Sequence, residues 1–113
     1  MKELAALKNL RFLRLDGTQV TNAGLKQLAG LSDLQVVDLG ATQVSNAALK
    51  EFARLKNLRV LVLDGTKVTD EGLKELASLK SLRVVNLRKT GVTEEGLRRL
   101  QKALPDCRIV SGK

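Results

Sequence analysis

Few residues of this chain are equipped for covalent chemistry. Among its 113 residues there is no histidine and a single cysteine, Cys107, so the commonest general base is missing and no cysteine pair can hold zinc. No phosphate-cradling GxxxxGK[ST] stretch occurs either. Asp16, Asp38 and Asp64 are the candidates for paired acids or for a cation. A hard cation, however, needs several oxygens converging at about 2.0 to 2.6 Å, and these three stand on separate stretches of chain. We read them as solvated charges that discriminate among partners. Cys107 stands where other segments have leucine, which suits a small buried apolar residue; a reactive thiol is the alternative, and rapid alkylation would be its mark. We therefore expect no catalytic residue, no metal and no cofactor. The remaining chemistry is recognition, and the formal charge of +8 makes its placement the question.

Position in this chain is set by repetition. Leu7, Leu31, Leu55 and Leu79 each open a copy of LxxLxxLxLxxTxV, 24 residues after the last. The copies occupy 7–30, 31–54, 55–78 and 79–103, with a partial helix at 1–6 and a terminal half-repeat at 104–113, all within one domain. Below roughly three copies such an array would not hold. Leu13 and Leu15, two apart, share one face of a strand, as do Val37 and Leu39, Leu61 and Leu63, Val85 and Leu87. Leu10, Leu34, Leu58 and Leu82 have the wrong parity for a flat strand, so a bend should turn them inward. Val20, Val44, Val68 and Val92 then return to the core. Thr21, Ser45, Thr69 and Thr93 follow as expected N-caps, whose hydroxyls can accept from the first helical amides. Leu25 and Leu28, Leu49 and Phe52, Leu73 and Leu76, Leu97 and Leu100 recur at i, i+3 as the buried helix stripe. Gly24, Ala48, Gly72 and Gly96 read as small residues that let each helix approach the strand layer. Thr18, Thr42, Thr66 and Thr90 form a regular ladder able to bond nearby backbone, and we assign it to the fold rather than to a ligand.

These motifs resemble the leucine-rich repeat, and VTDEGLKELA (Val68 to Ala77) narrows the likeness. The phrasing is similar to the ribonuclease-inhibitor-like and cysteine-containing subfamilies, the latter seen in F-box adaptors. The 24-residue length and the closing LQKALPDCRI (Leu100 to Ile109) look closer still to bacterial TxVTDxGL repeat proteins. The resemblance implies an α/β solenoid, right-handed, with short parallel strands on the concave face and helices on the convex face. It also implies protein recognition by the concave sheet.

The outward strand positions then carry function. Phe12, Val36, Val60, Val84 and Ile109 make an apolar stripe, joined by Arg14, Asp16, Asp38, Val62, Asp64, Asn86 and Arg88 in the rows beside it. Exposed apolar surface of this kind marks partner sites; the plainer reading is that branched residues favour strands. Charge divides between the rims. The edge from helix end to strand start holds Lys8, Arg11, Arg54, Lys56, Arg59, Lys80, Arg83, Lys102 and Arg108 against Asp33 and Asp106. The opposite edge holds Lys67, Arg88 and Lys89 against Asp16, Asp64, Asp70, Glu71, Glu94 and Glu95. Helix dipoles explain part of this, but the row Arg11, Gln35, Arg59, Arg83, Arg108 lies outside the helices.

A noncatalytic protein-binding or scaffolding module using the concave face is the leading expectation. The alternative is electrostatic binding of nucleic acid or acidic partners through the basic rim of Lys8, Arg11, Lys56, Arg59, Lys80, Arg83 and Arg108. Phe12 and Phe52 are the sole aromatics, which leaves no stacking platform for single strands. A third reading is a scaffold, engineered or cut from a longer array, with no ligand of its own. Self-association through uncapped ends or the apolar stripe is a further expectation. The start MKELAALKNL lacks a signal peptide's apolar core and no stretch approaches about 18 apolar residues, so a cytoplasmic protein without a membrane partner is expected.

Overall fold

The computed structural model describes residues 11–112; the expected partial helix 1–6, Leu7 and Leu10, and the rim residue Lys8 lie outside them. Five three-residue strands, β1 (Phe12–Arg14), β2 (Val36–Asp38), β3 (Val60–Val62), β4 (Val84–Asn86) and β5 (Arg108–Val110), form one parallel sheet in sequence order. Helices α1 (Asn22–Leu25, continued by a 3-10 stretch Lys26–Gly30), α2 (Asn46–Phe52), α3 (Asp70–Leu76) and α4 (Glu94–Ala103) connect them and pack on one another in the same order. Paired strands stand about 4.8 Å apart and packed helices about 8 to 10 Å. Such a stack curves with the sheet on the inside.

The inward parity is as the leucine spacing requires. Leu13, Val37, Leu61 and Val85 are lateral partners, and all are buried. Leu34 and Leu58 have no exposed surface and Leu82 almost none, because a backbone turn immediately before each strand swings them in: Leu34 N donates to Leu31 O and Leu58 N to Leu55 O, both at 3.1 Å. Leu25, Leu28, Leu49, Phe52 and Leu76 complete a continuous core at 0 % exposure. Each such side chain contributes about 1.5 to 3 kcal/mol by leaving water. Burial thins toward the ends, where Leu15 and Val20 on one side and Val92, Leu97 and Ile109 on the other are only partly covered.

The threonine ladder is a turn device. Thr18, Thr42, Thr66 and Thr90 donate from Oγ1 to the carbonyls of Leu15, Leu39, Leu63 and Leu87 at 2.6 to 2.7 Å. In each of these turns one residue adopts positive φ: Gly17 at 71°, Ala41 at 57°, Gly65 at 71° and Lys89 at 58°. The turn needs that shape because the same residues' amides donate to the next repeat, at Gly40 O, Asp64 O, Arg88 O and Gly112 O. Ala41 and Lys89 hold it at a cost of about 1 to 2 kcal/mol each.

Two expectations are corrected at the helix starts. Thr21, Ser45 and Thr69 occupy N-cap positions but accept no amide there; Thr93 alone does, from Gly96 N at 3.2 Å. The Ser45 and Thr69 hydroxyls are engaged across repeats instead. Asn22 Oδ1 accepts from Ser45 N (3.0 Å) while its Nδ2 donates to Ser45 Oγ (2.8 Å), and Asn46 treats Thr69 the same way. At the third step Asp70 can only accept, from Thr93 N at 2.8 Å and from Thr93 Oγ1 at 2.5 Å. Thr93 thus spends its proton on Asp70 and keeps a lone pair for the helix amide, which explains the one true cap. Gly72 and Gly96 also answer to this ladder rather than to the strand layer. A Cβ on Gly72 would lie 2.5 Å from Asn46 Oδ1, and one on Gly96 would run into the Asp70 carboxylate.

The last repeat departs from the 24-residue step. Helix α4 has ten residues where α2 and α3 have seven. The turn Cys107 N to Leu104 O (3.0 Å) reproduces Leu82 N to Leu79 O, yet lies 25 residues later. The strand recovers the register at once, so Arg108, Ile109 and Val110 pair with Val84, Val85 and Asn86. Ile109 therefore faces the core and packs against it. Its assignment to the outward stripe is wrong by one residue, and Arg108 takes that place.

Candidate binding face

The helices cover one side of the sheet and leave the other open. Across the open side runs a first row of Phe12, Val36, Val60, Val84 and Arg108, held in line by direct strand pairing. Phe12 is 65 % exposed and the three valines are half-buried by their neighbours. The second row is Arg14, Asp38, Val62, Asn86 and Val110. The apolar stripe expected from the sequence is thus present from Phe12 to Val84 and ends on a guanidinium.

Several polar residues of this face are committed to the fold. Asp38 Oδ1 accepts from Gly40 N and Asn86 Oδ1 from Arg88 N, each at 3.0 Å. These side chains brace the turn that follows their strands. Arg14 lies 3.4 Å from Asp16 and 3.8 Å from Asp38, an exposed cluster of small energetic weight. Asp64 reaches over Gly40, where an added Cβ would stand 2.5 Å from its Oδ1. Among the described residues no three acids, cysteines or histidines converge as a metal site would require.

The border on the strand-start side is basic. Arg11, Gln35 and Arg59 each offer a carbonyl that receives two amides from the next repeat, at Gln35 and Val36, Arg59 and Val60, Arg83 and Val84. That ladder fixes the row by backbone. At the last step Arg83 O receives Arg108 N (2.7 Å), so Arg108 leaves the rim row assigned to it and joins the apolar row. Among the described residues, Arg11 and Arg59 have no side-chain hydrogen bond or ion pair. Arg83 Nη1 donates to the carbonyls of Lys80 (3.1 Å) and Leu82 (3.3 Å), and Lys80 Nζ to Ala103 O (3.0 Å). Lys80 therefore serves the end of α4. On the far border Glu71 pairs with Lys74, and Glu95 with Arg98 and Arg99, all along single helices.

Cys107 is buried in the core cluster. Burial pushes its thiol above the ordinary range, with the Arg83 charge opposing the rise, so it stays protonated and unreactive. On the opposite surface an apolar recess of about 250 Å³ lies between α3 and α4, lined by Leu73, Ala77, Gly96 and Leu100 among others. Arg108 and Val110 on the open face follow from carrying the 24-residue step on from Val84 and Asn86, a signal masked by the 25-residue interval from Leu79 and Leu82 to Leu104 and Cys107.

A family model described as leucine-rich repeat matches residues 6–29 and 54–77. No curated protein matches the chain in sequence. Among solved structures, internalin C2 of Listeria monocytogenes is similar at a TM-score of 0.80 and 34 % identity, over 100 % of this chain and 46 % of that one. A leucine-rich repeat protein of Leptospira interrogans follows at 0.67 and 27 %, over 96 % of this chain and 33 % of that one. This chain spans less than half the length of either. The second actin-binding site of leiomodin-1 shares the fold at 0.72 and 13 %, over 96 % and 75 %.

Proposed function

We propose that this leucine-rich repeat protein is a noncatalytic protein-binding module whose open sheet face receives the partner. The observation that carries the reading is the row Phe12, Val36, Val60, Val84, aligned by strand pairing and left uncovered by the helices. Parallel sheets are normally covered on both sides, and an ordered apolar strip without a cover is suited to one. The leucine-rich repeat fold generally mediates protein–protein binding, and such proteins are typically noncatalytic. The second outward row changes from Arg14 to Asp38, Val62 and Asn86 while the inward positions stay aliphatic, an arrangement that lets a repeat scaffold carry specificity. Nucleic acid is the weaker reading, since Phe52 is fully buried and Phe12 alone among the aromatics is available to stack. No helix among the described residues is long and apolar enough to cross a membrane.

The test compares the wild-type chain with a Val60→Glu, Val84→Glu variant as bait for partners, with far-UV circular dichroism as the control for folding. Capture by the wild type and loss in the variant, at unchanged ellipticity, supports the face. Capture that survives both charges assigns the site elsewhere.

A further inference from the structure

The apolar row and the arginine row look like rival sites in the sequence, but in the folded chain they share a border. Arg11, Arg59 and Arg83 each immediately precede a member of the first row, and Arg108 stands in that row beside Val84. Resting on the reading that the open face takes a protein partner, we propose that its occupant is an acidic amphipathic α-helix lying across the strands. Its apolar stripe would sit on Phe12, Val36, Val60 and Val84, with its carboxylates toward Arg11, Arg59 and Arg108.

Spacing selects the helix. Neighbouring strands are about 4.8 Å apart and one helical turn advances about 5.4 Å. A helix running along the row thus drifts by about 0.6 Å per strand and stays in step across the sheet. An extended chain brings same-side residues round every 6.8 Å or so. It loses about 2 Å per strand and falls between rows after two steps. An extended chain parallel to the strands would add to an edge and leave the face empty. The five strands span about 19 Å, or about 13 residues of helix. The half-buried valines make a shallow strip suited to such a rod.

Charge then orients it. Arg11 and Arg59 have no side-chain partner among the described residues, whereas the far border carries Asp16 and Asp64 beside the strand ends. Acidic residues on the helix are drawn to the strand-start border, where the guanidinium groups are unopposed along the row, more than to the far border, where Arg14, Arg88 and Lys89 offset Asp16, Asp38 and Asp64. The Arg83 guanidinium, tied to Lys80 O and Leu82 O, keeps the positive border in place between Arg59 and Arg108.

The experiment is a selection on the full chain. The probe is a library of helix-favouring peptides of about 18 residues, with an apolar stripe fixed at i, i+3/i+4 spacing and flanking positions drawn from Glu, Lys and Gln. Enrichment of Glu along one flank, amide shifts at Val36, Val60 and Val84, and at least about fivefold weaker binding at 200 than at 50 mM salt are expected. An Arg59→Glu, Arg83→Glu chain of unchanged ellipticity should lose about tenfold or more in affinity for the selected peptides. Binders that shift the same valines with no Glu preference, or with affinity indifferent to salt, overturn the acidic helix and leave the face reading standing. An empty selection also overturns the helix. Shifts confined to Leu73, Ala77 and Leu100 overturn the face reading itself.

Discussion

On β3 the two sides of the sheet meet within three residues. Leu61 has no exposed surface, while Val60 and Val62 on either side of it are half-buried and point the other way. The inner side repeats the same chemistry at every strand, from Leu13 to Val85. The outer side changes from Arg14 to Asp38 to Val62 to Asn86. A position the stack cannot do without is held to one kind of residue, and a position it can do without is left for a partner to read. Substitutions should therefore split by parity, with stability on one side and binding on the other.

The largest stability effect should come from the inner side. Leu61→Ala is expected to cost about 2 to 5 kcal/mol in urea unfolding, and Val60→Ala, one residue away, under about 1 kcal/mol. Equal costs would erase the distinction between the faces. Next in size is the ladder between repeats. Asn46→Ala strands the Thr69 amide and hydroxyl that Asn46 now satisfies, which should cost about 1 to 3 kcal/mol. Gly72→Ala presses on the same Asn46 side chain but should cost under about 1 kcal/mol, since Ala48 already carries a Cβ at the equivalent position beside the intact Asn22–Ser45 step. The turns come third and carry opposite signs. Ala41→Gly relieves a positive φ and should stabilise by a few tenths to about 1 kcal/mol, whereas Gly65→Ala imposes one and should cost about 1 to 2 kcal/mol.

The smallest effect is a pH dependence. Hydrogen bonds from the Thr93 hydroxyl and amide hold the Asp70 carboxyl below the ordinary range. Its folded value is thus below its unfolded one of about 3.9. The stabilisation is present in full above the unfolded value and is lost as pH falls through the folded one. Asp70→Asn should remove that part of the acid limb while keeping the ladder, since Asn46 shows that an amide fits. Acid melting curves of the two proteins, superimposed from about pH 4.5 down to 2.5, would show that Asp70 contributes nothing of the kind.

The inner side was legible because burial acts on every copy alike. The leucine positions, the strand parity and the inward bend at Leu34, Leu58 and Leu82 all follow from spacing alone. The Asn22, Asn46, Asp70 ladder was not legible, because residues at a helix start serve equally well as local caps, and only packing shows that they reach the next repeat. The end of the array was misread at Ile109 for a related reason. Counting from Cys107 is right for the turn but wrong for the strand, whose pairing with β4 is set by backbone hydrogen bonds. The site inherits that error at its last strand. The outward residues of the first four strands lie on the side that their parity predicts, and Arg11, Arg59 and Arg83 line the strand starts, whereas Arg108 does not and Lys8 lies outside the described residues.

The most direct test of partner recognition by the open face is an amide chemical-shift map of the chain with a captured or selected partner. Shifts should cluster at Phe12, Val36, Val60, Val84 and the neighbouring Arg59 and Arg108, and should leave α3 and α4 unmoved. A map centred on Leu73, Ala77 and Leu100, with the strand valines unchanged, would contradict it.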